Sequence, residues 1–162
     1  MSKRIVLLQA LASTTKDLAR ILRDVDLITA QQRPFPATWS INDVLSHLRD
    51  VDIQSLARMQ RVVHEERPLI RTIHPDETSH DMATPPDQLL LQFEQARAET
   101  ITYLQNLGPG QWQRRAIFDS GEDTTIRTLA QILIEHDTQH LNQLIEIKEK
   151  VRSPMASSKL TS

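Results

Sequence analysis

Apolar residues recur at a helical period in four stretches of this chain, and proline or glycine interrupts every gap between them. The first stretch, residues 2–30, carries Leu7, Leu8, Leu11, Leu18, Ile21, Leu22, Val25 and Ile28 and stops before Pro34 and Pro36. The second opens at Ser40, a good N-cap, with Asp43 three residues on at the positive end of the helix. Its stripe is Ile41, Val44, Leu45, Leu48, Leu56 and Met59, ending near Glu65. The third follows Pro85-Pro86, with Asp87 expected as the cap, and carries Leu89, Leu90, Phe93, Ile101 and Leu104 before Gly108-Pro109-Gly110. The fourth starts at Thr124 or Thr125 and follows Ile126, Leu129, Leu133, Leu144 and Ile147 to about Lys150.

Four amphipathic helices can bury their stripes only against one another, which predicts an all-α four-helix bundle. The chain has just 3 glycines among 162 residues, too few for the turns of a sheet-rich fold. Residues 66–86 could stretch to about 65 Å, whereas helix two is only ~38 Å long. That connector can run back along the bundle, so an up-down-down-up topology is expected. Residues 111–123 read as irregular, with room for a short extended stretch at 115–118. The domain is expected to span residues 1–152, with a flexible C-terminal tail at 153–162.

A net charge of −2 gives no electrostatic reason to expect a nucleic-acid or membrane partner. No apolar run approaches the ~20 residues of a membrane span, and Ile5–Leu8 is too short for a signal peptide, so a cytoplasmic protein is expected. Cysteine is absent, which removes disulfides, thiolate ligands and a protein thiol nucleophile. Any metal site must use histidine and carboxylate ligands, and any thiol chemistry must bring its own thiol.

The six histidines carry the functional signal. His136 and His140 lie four apart on helix four, which places their Cβ atoms about 5–6 Å apart on one face. Two imidazoles so placed can share an ion at ~2.0–2.1 Å from each nitrogen. They fall in the series Leu129, Leu133, His136, His140, Leu144 and Ile147, as though replacing leucines within the buried stripe. A lone core histidine is usually just hydrogen-bonded, but two stacked together need a shared partner. His47, between Leu45 and Leu48 at the edge of helix two's stripe, is the candidate third ligand. Three protein ligands with an open position describe a reactive metal site rather than a structural one. His64, His74 and His80 are expected to be exposed or locally hydrogen-bonded, though a connector histidine could close over a pocket. Asp137 is read as a solvated carboxylate or a group orienting a histidine. Trp39 is expected to anchor the start of helix two, and Trp112 to cover one end of the core. No catalytic residue beyond the ligands stands out.

Ala37-Thr38-Trp39-Ser40 followed by Asp43-Val44-Leu45-Ser46-His47-Leu48 resembles the Trp-Ser…His-Leu opening of the second helix in the DinB superfamily. His136-Asp137-Thr138-Gln139-His140, with Gln143 after it, resembles that superfamily's closing helix. The resemblance implies an up-down-down-up bundle, usually a homodimer, holding nickel, zinc or iron on three histidines, here His47, His136 and His140. It also implies kinship with S-transferases and isomerases that use a low-molecular-weight thiol on a small-molecule substrate. Three other readings remain. His136-Asp137-x-x-His140 resembles the His-Glu-x-x-His of zinc proteases, with a shorter carboxylate, and so admits metal-assisted hydrolysis. A non-catalytic metal-binding or stress-related module, or a plain helical protein, would use the same histidines differently.

Overall fold

The computed structural model describes residues 2–161, with side chains through Val151. Each main helix begins where a side chain can take up the amide hydrogens that a first turn leaves free. Ser2 caps α1 (Lys3–Ile21) by accepting from the Ile5 amide. Asp26 then accepts from the Thr29 amide at 2.8 Å and starts a separate short helix, α2 (Leu27–Gln31). The single helix expected over residues 2–30 is therefore two. The aspartate competes for backbone hydrogens that a continuous helix would have used. At α3 (Ile41–His64) the expected cap is a full capping box: the Asp43 amide donates to Ser40 Oγ, and the Ser40 amide donates to the Asp43 carboxylate.

One strand precedes the next long helix in the chain and two follow it. After β1 (Leu69–Ile70), α4 (Pro86–Gln105) opens with Pro86 in its first turn, where a missing amide hydrogen costs nothing. Asp87 lies inside that turn, not at the cap where it was expected. A short helix, α5 (Pro109–Trp112), leads to β2 (Arg115–Phe118) and β3 (Asp123–Thr125), which form an antiparallel hairpin; β1 lies parallel to β2. Gly121 sits in the hairpin turn at φ +94°, a conformation that glycine adopts without strain. The last helix is α6 (Ile126–Thr161). The expected tail at 153–162 lies outside the residues whose side chains are described.

The four long helices form the bundle: α3 packs on α4 and α6, and α1 packs on the same two. Arg49 of α3 bonds Gln92 of α4, and further along both helices Asp52 bonds Arg97 and Thr100, so these contacts advance in the same sense. Two apolar clusters fill the interior. One holds Leu11, Val51, Leu104 and Leu133; the other holds Leu18, Leu48, Phe93 and Leu144. Between them lies a buried polar layer of Thr14, Asp52, Arg97, Thr100 and Asp137. Arg97 donates to Asp52 at 2.7 Å, to both oxygens of Asp137 at 2.8 and 2.9 Å, and to the Leu11 carbonyl at 2.9 Å. Thr14 completes it with a 2.7 Å bond to Asp137. One guanidinium thus binds groups from all three other long helices.

Candidate metal centre

The capping box fixes where α3 starts, and His47 lies two turns in, pointing between α3 and α6. There it meets the two histidines of α6. His47 Nε2 is 3.0 Å from His136 Nε2, and His140 Nε2 is 3.0 Å from the same atom. All three ligand atoms lie within 4.8 Å of one another. Sequence spacing paired two of these side chains, and the fold brings in the third.

Hydrogen bonds on the far side of two rings assign their protons. Thr78 gives its own hydroxyl hydrogen to the Pro75 carbonyl, so its oxygen is free to accept from His47 Nδ1 at 2.9 Å. Gln143 Oε1 can only accept, and it lies 2.7 Å from His140 Nδ1. Both rings therefore carry hydrogen on Nδ1 and turn bare Nε2 lone pairs toward His136. His136 Nδ1 is buried without a hydrogen-bond partner among the described residues. A proton on His136 Nε2 would satisfy only one neighbour and leave a buried Nδ1 lone pair unmet. A proton on Nδ1 leaves a buried donor unmet instead, and brings three lone pairs together with nothing between them. A cation resolves that second arrangement. The two 3.0 Å separations are of the size found between nitrogens that share one ion. Three neutral nitrogens suit zinc, nickel, copper or iron.

The electrostatics favour the neutral, ligating form. Burial, then the neighbouring His140 and His136, push the His47 pKa down to about 3. Burial, then His140 and Arg97, push His136 down to about 4. His140 is lowered too, chiefly by burial.

Several expectations about neighbouring residues change. His136 and His140 do not occupy the buried stripe itself: Leu133, Asp137 and Leu144 do, with the histidines half-buried beside it. Asp137 is neither solvated nor bonded to a histidine, because Arg97 and Thr14 occupy its carboxylate. Trp39 does more than anchor a cap. Its ring stacks on His140 at 6.1 Å and 6°, and stands edge-on to His47 at 5.0 Å. Trp112 is buried as a member of the core itself. His64 and His74 are exposed. His80 packs edge-on against Trp39 at 5.3 Å, and its Nδ1 lies 2.9 Å from Asp43. The connector histidine thus packs behind Trp39, outside the cluster of three histidines.

His136 also lines a cavity of about 320 Å³ between α3, α6 and the small sheet. Its wall includes Val51, Leu133 and Phe118, with Ser55 and Arg58 as polar members.

The sequence profile of the DinB superfamily matches residues 10–144. The chain belongs to the DinB superfamily. Among its relatives, YuaE of Bacillus subtilis (strain 168), itself uncharacterised, is 25% identical over 138 residues, or 74% of this chain and 83% of YuaE. Two solved structures share this DinB protein's fold. YfiT of Bacillus subtilis, described as a probable metal-dependent hydrolase with an unusual four-helix bundle topology, superposes with a TM-score of 0.80 at 20% identity, covering 93% of this chain and 89% of YfiT. A conserved protein of Enterococcus faecalis superposes with a TM-score of 0.74 at 14% identity, covering 94% of this chain and 99% of its own. Among the described residues of this DinB protein, no helix is long and apolar enough to cross a membrane.

Proposed function

We propose that His47, His136 and His140 hold one divalent ion and that the protein is a metal-dependent enzyme of the thiol-dependent S-transferase type. The observation that carries this reading is the convergence of three Nε2 atoms, two of them stripped of hydrogen by Thr78 and Gln143, with His136 opening onto a cavity. A divalent ion on three neutral ligands keeps its full positive charge, which lowers the pKa of a thiol or water bound to it. The chain's own residues supply the rest. Trp39 packs against His47 and His140 on one side with His80 behind it, and Val51, Leu133 and Phe118 give the cavity on the other an apolar wall. With no cysteine in the chain, the sulfur must arrive as a cosubstrate.

The likeness to YfiT favours a second reading, metal-dependent hydrolysis, in which water replaces the thiol. Two measurements test both. Elemental analysis of protein made without an affinity tag should find one divalent ion per chain, and replacing any one of the three histidines by Ala should weaken binding by orders of magnitude. In cobalt- or nickel-loaded protein, a small thiol should produce a sulfur-to-metal charge-transfer band that His136→Ala abolishes. A panel of biological thiols that leaves the spectrum unchanged removes the transferase reading. Turnover of an electrophile without thiol would then support hydrolysis, and no turnover would leave a non-catalytic metal-binding module.

A further inference from the structure

Beyond His47, the face of α3 that lines the cavity continues through Val51 and Ser55 to Arg58. Arg58 is half-buried, and its Nε is shielded from water without a partner. One terminal nitrogen donates to the Arg71 carbonyl at 3.0 Å, and the guanidinium stands 6.0 Å from the Phe118 ring centre. No carboxylate forms an ion pair with it among the described residues, although Arg33, Arg49, Arg61, Arg67, Arg71 and Arg97 each have one. Glu122 on the same cavity is exposed and does not pair with it. Burial pushes the Arg58 pKa down, and no neighbouring charge offsets this.

An arginine stays charged in a protein, and withdrawing that charge from water without a counter-ion is costly. Such a group in a cavity wall is a carboxylate receptor with its donors already in place. Eleven residues separate His47 and Arg58, or about 16 Å along the helix axis. A long helical side chain leans toward its helix N-terminus, here the histidine end, which shortens that span.

We propose that Arg58 is the specificity-determining residue of this cavity: it binds the carboxylate of a small molecule whose apolar body lies along Val51, Leu133 and Phe118 and whose reactive end reaches the histidines. The proposal rests on the reading of the cavity as the substrate pocket of the metal centre, and it narrows the substrate class to organic acids with an apolar segment. One terminal nitrogen of Arg58 is held by the Arg71 carbonyl, while Nε has no partner among the described residues, so the guanidinium keeps unfilled donor capacity on the cavity wall.

Calorimetric titration of the full chain, metal-free and zinc-loaded, with 4-phenylbutanoate and its neutral isostere 4-phenylbutanamide tests this. Both forms should bind the acid about tenfold more tightly than the amide. Arg58→Met should abolish that preference, Arg58→Lys should keep part of it, and zinc stoichiometry should stay the same in both variants. Equal affinities for acid and amide in metal-free wild-type protein, or no binding of either at millimolar concentration, would overturn the proposal. A preference that survives Arg58→Met, or that appears only with zinc, would overturn it as well, by assigning the anion to another group. The zinc titration reads the histidine site separately, so failure of the metal reading and failure of the Arg58 reading give different results.

Discussion

Thr78 and Gln143 decide which nitrogen each histidine leaves bare, so they should matter for metal affinity although neither would touch the ion. Thr78→Val and Gln143→Leu are each expected to lower zinc affinity about 10–100-fold in competition with a chromophoric chelator. Unchanged affinity in both would mean that the tautomers are set some other way. The lowered histidine pKa values carry a second prediction. An unfolded histidine takes up a proton near pH 6.5, whereas folded His47 and His136 resist until about pH 3 and about 4. Below pH 6.5 the unfolded state therefore binds more protons, and metal-free protein should lose stability as pH falls, by about 1.4 kcal/mol per pH unit for each such histidine. Urea midpoints at pH 7 and pH 5 check this, and a midpoint that stays put contradicts it. His136 and His140 were legible because four-residue spacing is a local signal, and Gln143 lies one turn further on the same face. Thr78 was not, because it sits 31 residues from His47 in a connector with no periodicity.

Helix α3 could be read from the sequence since stripe and cap agree there, and α6 starts beside the expected Thr125, whose hydroxyl accepts from the Thr128 amide. Where local signals competed, the reading failed: Asp26 restarts the chain inside what looked like one apolar stripe, and Pro86 takes the position expected to follow a cap. The small sheet was half visible. The extended stretch at 115–118 is β2, but its parallel partner β1 lies in the long connector, and a two-residue strand leaves no alternation to detect. The cap of α3 can be tested directly. Ser40→Ala should cost about 1 kcal/mol in urea unfolding, the usual worth of an N-cap hydroxyl. Asp43→Ala should cost more, because Asp43 also accepts from Arg33 and bonds His80. Equal losses would show that those outer contacts contribute nothing.

At the scale of the molecule, large apolar side chains remain exposed on several helices, among them Ile5, Val6, Ile53, Leu91 and Ile145. Pairing of two chains could cover part of that surface, and light scattering at micromolar concentration is expected to show a homodimer. A species of monomer mass alone would rule it out. The buried polar layer was invisible in the sequence, because Asp52, Arg97 and Asp137 each look like an ordinary helix-surface charge until four helices are assembled. Arg97→Met should destabilise the fold by at least about 3 kcal/mol, since two buried carboxylates lose their counter-ion. That shared counter-ion also bears on how the molecule comes apart. With bonds to α1, α3 and α6, Arg97 loses part of its hydrogen-bonded shell when any one of those helices leaves, and departure of α4 strands both Asp52 and Asp137. Half-open forms are therefore penalised, and calorimetric and van't Hoff enthalpies of unfolding should coincide. The three histidines, carried on α3 and α6, would in this way stay together until the whole bundle opens at once.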